Sequence, residues 1–279
     1  MGLYISNYDN QNRPILDAGN TVLPLVYFNI LRLEPGQAFG QQVHGYETIY
    51  TVLSGCCEIS AGGRLFSNMR RRDIWTDRAD SVYSPSGMAV EIKCELQTEI
   101  AVTGGRCDRI YEPFRVGPDE VSMIEVGTSA TKTYRKIYDV LGNKGGGRTG
   151  NLIVKELYAE EGCWSGYPPH KHDTENLPEE SAFEELYHYR FNPENGFGNQ
   201  LIFQDDGAAE SYMVQSGDTV CINRGYHPTV CSPGHRGYLL CILAGAVQRS
   251  LVINLNKKYS YLAKKITGVQ AMQENFKNN

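Results

Sequence analysis

The chain has 279 residues, with 27 Lys and Arg against 32 Asp and Glu and a net charge of −5, so no basic excess marks it as a nucleic-acid binder. No apolar run approaches the roughly 20 residues that span a bilayer, and the N-terminus lacks the charged, apolar and small-residue pattern of an export signal, so a cytoplasmic protein without membrane contact is expected. Twenty-nine Gly, 12 Pro and 18 Tyr, with turn signals at short intervals, favour β structure in one large or two ordinary domains.

In chain order, residues 26–33 read as a strand, Glu34-Pro35-Gly36 as a turn, residues 48–53 as a strand with 57–60 as its hairpin partner, and Tyr83-Ser84-Pro85-Ser86-Gly87 as a later turn. His44 and Glu47 lie in this half with no HxH, and one imidazole beside one carboxylate makes a poor metal site. The first half is therefore read as structural. Residues 105–150 look irregular, and the glycine-rich stretch 142–150 reads as a mobile loop. It is no phosphate-binding loop, because Lys144 precedes its glycines instead of following them next to Ser or Thr. Residues 152–158, 184–191, 200–204, 220–222 and 238–243 supply the strands of the second half, so a duplicated small barrel accounts for both halves. Eight cysteines form no CxxC pair and are expected to be reduced and mostly buried.

The chemistry concentrates in the second half. In Pro169-His170-Lys171-His172 the two imidazoles fall on one face of an extended strand. A carboxylate and a third imidazole, from Glu185 and His227, would complete a three-His, one-carboxylate site suited to a divalent transition metal with positions left open. Four glutamates compete for the carboxylate role. Glu179 and Glu180 follow Pro178 in a polar insertion read as a solvated loop, whereas Glu185 begins an alternating strand and is preferred to Glu184. If Glu185 faces inward, Tyr187 and Tyr189 do too, while His188 and Arg190 point away. His235 reads as an exposed turn residue.

The HxH followed by Glu, and the Gly217-Asp218 turn, apolar 220–222, Gly225 turn and His227-Pro228 that come later, resemble the two motifs of the cupin superfamily. Asn223 stands where that pattern usually has Pro, one residue instead of two separates Gly225 from His227, and the gap from His172 to Glu185 is long. The filled gap, with Glu184-Glu185-Leu186-Tyr187-His188-Tyr189-Arg190 and Arg224-Gly225-Tyr226-His227-Pro228, resembles the 5-deoxyglucuronate isomerase family of inositol catabolism. Leu31-Arg32-Leu33-Glu34-Pro35-Gly36, Leu53-Ser54-Gly55 and Ala61-Gly62-Gly63 extend the likeness over most of residues 25–250. A more distant relative is 5-keto-4-deoxyuronate isomerase. The resemblance implies an all-β duplicated cupin (a double-stranded β-helix, or bicupin), with a degenerate cupin at 1–115, a linker at 116–150, a metal-binding cupin at 151–255 and a short tail at 256–279. It implies an aldose-ketose isomerase that converts 5-deoxy-D-glucuronate to 5-dehydro-2-deoxy-D-gluconate, with His170, His172, Glu185 and His227 holding Zn, or Mn or Fe. A cupin oxygenase, or an isomerase of another uronate, is the alternative.

A small acidic sugar calls for a cation at its carboxylate, and Arg135, Lys155 and Arg224 are the candidates, since Arg190 fails the alternation test. Tyr187, Tyr189 and Tyr226 are the candidate proton-transfer groups, with Glu156 a further carboxylate, and Trp164 and Tyr167 could line a sugar-sized cavity. Self-association is left open by the sequence.

Overall fold

The computed structural model describes residues 2–142 and 145–278. They form two compact units that interleave along the chain: an N-terminal unit of Asp9–Ser122 with Val140–Ile153, and a C-terminal unit of Met1–Tyr8, Met123–Asp139 and Val154–Asn279.

In the N-terminal unit the central sheet runs in the order Val26–Leu33, Thr98–Arg106, Tyr46–Ala61, Asp80–Ser84 and Phe114–Val116. Residues 48–53 and 57–60, expected as two hairpin strands, belong to one 16-residue strand whose hairpin partner is Arg64–Arg71. The reason is Gly55. Its φ of +101°, beside a register shift between Val52 and Ser54, bends the strand without ending it. A side chain there would meet the Gln97 carbonyl at 2.4 Å. Leu31, Tyr50, Val52, Ile59, Ile92 and Val102 pack as the core of this unit.

The C-terminal unit has a seven-stranded sheet, in the order Gly2–Ile5, Thr219–Ile222, Phe183–Asn192, Arg236–Gly245, Leu152–Ala159, Arg135–Leu141 and Ser122–Val126. A second sheet joins Trp164–Ser165, Thr229–Cys231, Phe197–Phe203 and Ala209–Gln215. Alternation sorts the inner face of the first sheet, which carries Arg135, Ile137, Lys155, Leu157, Glu185, Tyr187, Cys241 and Leu243. Deeper along the same face, the Tyr189 hydroxyl donates to Gln200 of the second sheet.

Two segments differ from expectation. Residues 116–150, read as an irregular linker, hold the strands Ser122–Val126 and Arg135–Leu141. The glycine-rich loop lies partly outside the described residues, at Asn143 and Lys144; from Gly145 on it is anchored, with the Arg148 guanidinium 3.7 Å above the Phe114 ring and Thr149 buried. The tail also carries structure, since Val269–Lys277 is a helix that buries Val269, Met272 and Phe276. Spacings of three and four place those side chains on one stripe. All eight cysteines are free and buried, and among the described residues no helix is long and apolar enough to cross a membrane.

Candidate metal centre

His170 begins the short strand His170–Lys171, which pairs with Asn254–Leu255, and His172 follows on the same face. Glu185 enters from the strand Phe183–Asn192 and His227 from the loop after Gly225. Ligand atoms of His170, His172 and His227 all lie within 4.8 Å of one another, and all three residues are buried.

The backbone fixes how each ring faces. His170 Nδ1 is 3.1 Å from the Pro168 carbonyl, His172 Nδ1 3.2 Å from the Phe183 carbonyl, and His227 Nδ1 2.8 Å from the Gly225 carbonyl. A carbonyl only accepts, so each Nδ1 carries the proton and each Nε2 lone pair is left for the interior, the arrangement that orients metal-bound imidazoles. Gly225 reaches its part in this with a φ of +96°, open to glycine at little cost, while its N–H donates to Asp173 Oδ2 at 2.7 Å.

The Nε2 atoms of His172 and His227 both come within 2.9 Å of Glu185 Oε2. Hydrogen-bond geometry is met only by His172, and His227 Nε2 is a buried nitrogen without a hydrogen bond. With the imidazoles in the neutral tautomers set by those carbonyls, two lone pairs and a carboxylate oxygen point at one spot and repel unless positive charge, a proton on His172 or a metal ion, sits among them. A divalent cation satisfies all of them at once, so the donor set fits a metal.

Charge follows the same logic. Burial, reinforced by the neighbouring imidazoles, pushes His170 down to about 3, so it stays neutral across the physiological range. Burial also works against a charged His172, but the hydrogen bond and charge of Glu185 outweigh it and the net direction is upward. For Glu185 burial opposes ionisation, yet His227 and His172 hold it well below the usual carboxylate range, so it is an anion. Burial and the Glu185 charge push both the Tyr187 hydroxyl and the Cys241 thiol well above their ordinary values, leaving both protonated.

Beside the triad lies a cavity of about 30 Å³, room for about two waters. Arg135, Lys155, Tyr187 and Cys241 line it with His170, His172 and Glu185, and Leu251, Met272 and Phe276 close it. Lys155 Nζ pairs with Asp139 at 3.0 Å and sits 5.0 Å over the Phe276 ring. Arg135 donates to the Thr133 and Tyr167 carbonyls at 3.0 and 2.9 Å and lies 3.7 Å from Met272 Sδ. Among the described residues no carboxylate pairs with it, and burial lowers its guanidinium to about 10, still a cation at neutral pH.

Of the other residues singled out in the sequence, the structure brings Arg135, Lys155 and Tyr187 to this cavity and places the rest elsewhere. Tyr189 is buried deeper against Gln200 and Thr229. Tyr226 and Arg224 line a separate outer cleft with Lys171, Asp173 and Asp205, and the Tyr226 hydroxyl donates to Asp205 at 3.2 Å. Glu156 faces away from Lys155 by alternation and accepts from the Tyr238 hydroxyl. His188 faces away from the triad and meets Thr219. Trp164 and Tyr167 pack against each other with tilted rings, centroids 5.8 Å apart, and are not part of the cavity lining.

Glu180 corrects the reading of its insertion as solvated. It is 2% exposed and accepts from Lys171 Nζ, the Asp173 and Thr174 N–H groups and Asn254, so it braces the HxH turn from beneath. Sequence reasoning missed Cys241, Met272 and Phe276. A signal existed for the last two, in the helical spacing of Val269, Met272 and Phe276, whereas Cys241 looked like any buried thiol in an apolar strand.

A family model described as KduI/IolB family matches residues 4–262. The chain belongs to the KduI/IolB family. It is 34% identical over 226 residues to the 5-deoxy-glucuronate isomerase of Geobacillus thermodenitrificans, covering 80% of this chain and 81% of that protein. The 5-deoxy-glucuronate isomerase of Listeria monocytogenes is 30% identical over 234 residues, 82% of this chain and 85% of the relative. Among solved structures, an IolB-like protein from Salmonella typhimurium superposes with a TM-score of 0.83 over 93% of this chain and 98% of that one, at 24% identity. An oxalate decarboxylase of Bacillus subtilis gives 0.61 over 94% and 83%, at 13% identity. These two likenesses show the fold, a bicupin that is mostly β with one C-terminal helix. The protein is thus an isomerase of the KduI/IolB family, similar to 5-deoxy-glucuronate isomerases, with a buried histidine triad able to hold a metal ion.

Proposed function

We propose that this KduI/IolB enzyme converts 5-deoxy-D-glucuronate to 5-dehydro-2-deoxy-D-gluconate, a step of myo-inositol breakdown; the substrate is supported by relatives named 5-deoxy-glucuronate isomerase. The observation that carries the reading is the meeting, in one cavity, of His170, His172 and Glu185 with Arg135, a buried cation paired with no carboxylate among the described residues. A buried cation without a partner is costly unless a ligand supplies the anion. The guanidinium fork suits the carboxylate of a sugar acid, with Lys155 beside it as a second charge.

In the reaction a proton leaves the carbon next to the aldehyde and is returned to the aldehyde carbon through an enediolate. A divalent ion held by His170, His172, Glu185 and His227, for which Zn, Mn or Fe suits the nitrogen and oxygen donors, supplies Lewis acidity toward the substrate oxygens. Glu185, an anion engaged by two imidazoles, serves as ligand and not as proton carrier. Tyr187, protonated at neutral pH, donates its hydroxyl hydrogen toward a substrate oxygen where negative charge develops. Leu157, Leu243, Leu251 and Phe276 give the cavity an apolar wall, which strengthens the electrostatic interactions made inside it. A six-carbon acid exceeds the free space of the cavity, so the wall made by Met272 and Phe276 yields as substrate enters.

Incubating the purified enzyme with 5-deoxy-D-glucuronate in deuterated water tests this: the ketose product should carry deuterium at one carbon. Turnover of 5-keto-4-deoxyuronate alone would move the assignment to another uronate, and oxygen consumption with substrate would make the protein an oxygenase.

A further inference from the structure

Glu185 presents its two oxygens to different neighbours. Oε2 faces the imidazoles of His172 and His227, while Oε1 lies 2.9 Å from Cys241 Sγ. Cys241 sits on the adjacent strand as the cross-strand partner of Tyr187, one inward position from the partner of Glu185, and is 4% exposed. Its thiol therefore reaches the carboxylate sideways, from the neighbouring strand of the same sheet.

We infer that Cys241 is a positioning residue for the metal centre: its thiol donates to Glu185 Oε1, fixes the rotation of the carboxylate, and so turns Oε2 toward the ion. The inference rests on reading the triad as a metal centre. The chain contains its own control. In the N-terminal unit Glu47 stands on the corresponding central strand, and Thr103, the cross-strand partner of Ile49, holds the position that Cys241 holds opposite Tyr187. Thr103 Oγ1 is a buried hydroxyl without a hydrogen bond, and Glu47 is satisfied instead by Tyr83 and two backbone N–H groups. Where three histidines accompany the carboxylate, the neighbouring strand supplies a donor to it; where none does, the donor position is idle.

A thiol suits the task because it is a weak donor. It gives the buried Oε1 a donor and withdraws little electron density from the oxygen that would meet the metal.

The test measures Zn²⁺ affinity of the full chain by competition with a chromogenic chelator, in Cys241→Ala, Cys241→Val and Cys241→Ser, with thermal unfolding of each metal-free protein alongside. Loss of the donor should weaken Zn²⁺ binding on the order of 10- to 100-fold in both Ala and Val, as for other partners of metal ligands. Ala leaves a gap and Val more than refills the thiol's volume, so a loss shared by Ala and Val reports the donor and not a cavity. Ser keeps an O–H donor and should stay within about threefold of wild type, by the same reasoning that ties affinity to the bond on the ligand. Wild-type affinity in Ala or Val overturns the inference, as does a Ser variant that falls as far as Ala. Should wild type itself bind no Zn²⁺, Mn²⁺ or Fe²⁺, the metal centre fails first and the inference fails with it.

Discussion

The two units run the same strand order around a buried glutamate and use it for opposite ends. In one unit the order around Glu185 is Leu152–Ala159, Arg236–Gly245, Phe183–Asn192, Thr219–Ile222; in the other, around Glu47, it is Val26–Leu33, Thr98–Arg106, Tyr46–Ala61, Asp80–Ser84. Glu47, wholly buried, accepts from the Tyr83 hydroxyl at 2.9 Å and from the Gly150 and Leu152 N–H groups at 2.6 and 2.9 Å. Neutral donors satisfy it, and burial with the Glu47 charge drives Tyr83 well above its ordinary value, so the phenol remains a donor. Glu185 meets imidazole nitrogens whose own N–H groups are already committed to carbonyls. The lesson is that a buried carboxylate on this frame becomes structural or metal-binding according to whether its neighbours bring protons or lone pairs.

Breaking the metal-binding side should have the largest effect. His172→Ala or His227→Ala should abolish isomerisation and cut metal content below one equivalent per chain, while cooperative unfolding survives, because the strands of this unit have their own apolar core and do not depend on the ion. Metal analysis and calorimetry on the two variants check this, and loss of cooperativity in metal-free wild type would contradict it. Glu185→Gln should lower metal affinity on the order of 10-fold or more, since a neutral amide replaces a charged oxygen donor poorly. Arg135→Met should raise KM for the acidic substrate by about 10- to 100-fold, the equivalent of one charge-assisted hydrogen bond, with metal content unchanged. A KM unaffected by the change would remove Arg135 from the carboxylate site.

On the other side of the comparison the readout is stability. Glu47→Gln should cost about 1–3 kcal/mol in denaturant unfolding by leaving backbone donors poorly matched, with no change in metal content. Glu180→Gln, although it lies within the metal-binding unit, should behave like Glu47→Gln, because its carboxylate braces a turn and touches no imidazole. The smallest effect is reserved for His44→Ala, which should leave metal stoichiometry at wild-type level; a second equivalent that disappears with His44 would make the two units alike.

Much of the centre was legible because strand alternation is a strict code. The HxH, the inward Glu185 and Tyr187, and the outward His188 all follow from a period of two once the strand is granted. Arg135 and Lys155 could be listed but not ranked, since their convergence depends on two strands lying side by side. Tyr226 and Arg224 misled through nearness in sequence to His227: the Gly225 turn sends them to the outer cleft. Glu180 read as solvated because its acceptors are filled by N–H groups of the backbone, which leave no trace in composition. The interleaving of units was hidden for the same reason, because strand partners more than a hundred residues apart carry no local signal.

That interleaving shapes how the protein is made. The strand Gly2–Ile5 pairs with Thr219–Ile222, the Gly2 N–H donates to Glu210 across 208 positions, and Tyr4 and Asn7 both bond to Asp218. At roughly 5–20 residues per second on the ribosome, this strand waits about 10–40 s for its partners. The N-terminal unit, complete once residue 153 has emerged, can close during that interval. The sheet that carries the histidine triad is therefore begun before the N-terminal unit and finished after it, and a bulky fusion ahead of Gly2 would tax its assembly more than that of the N-terminal unit.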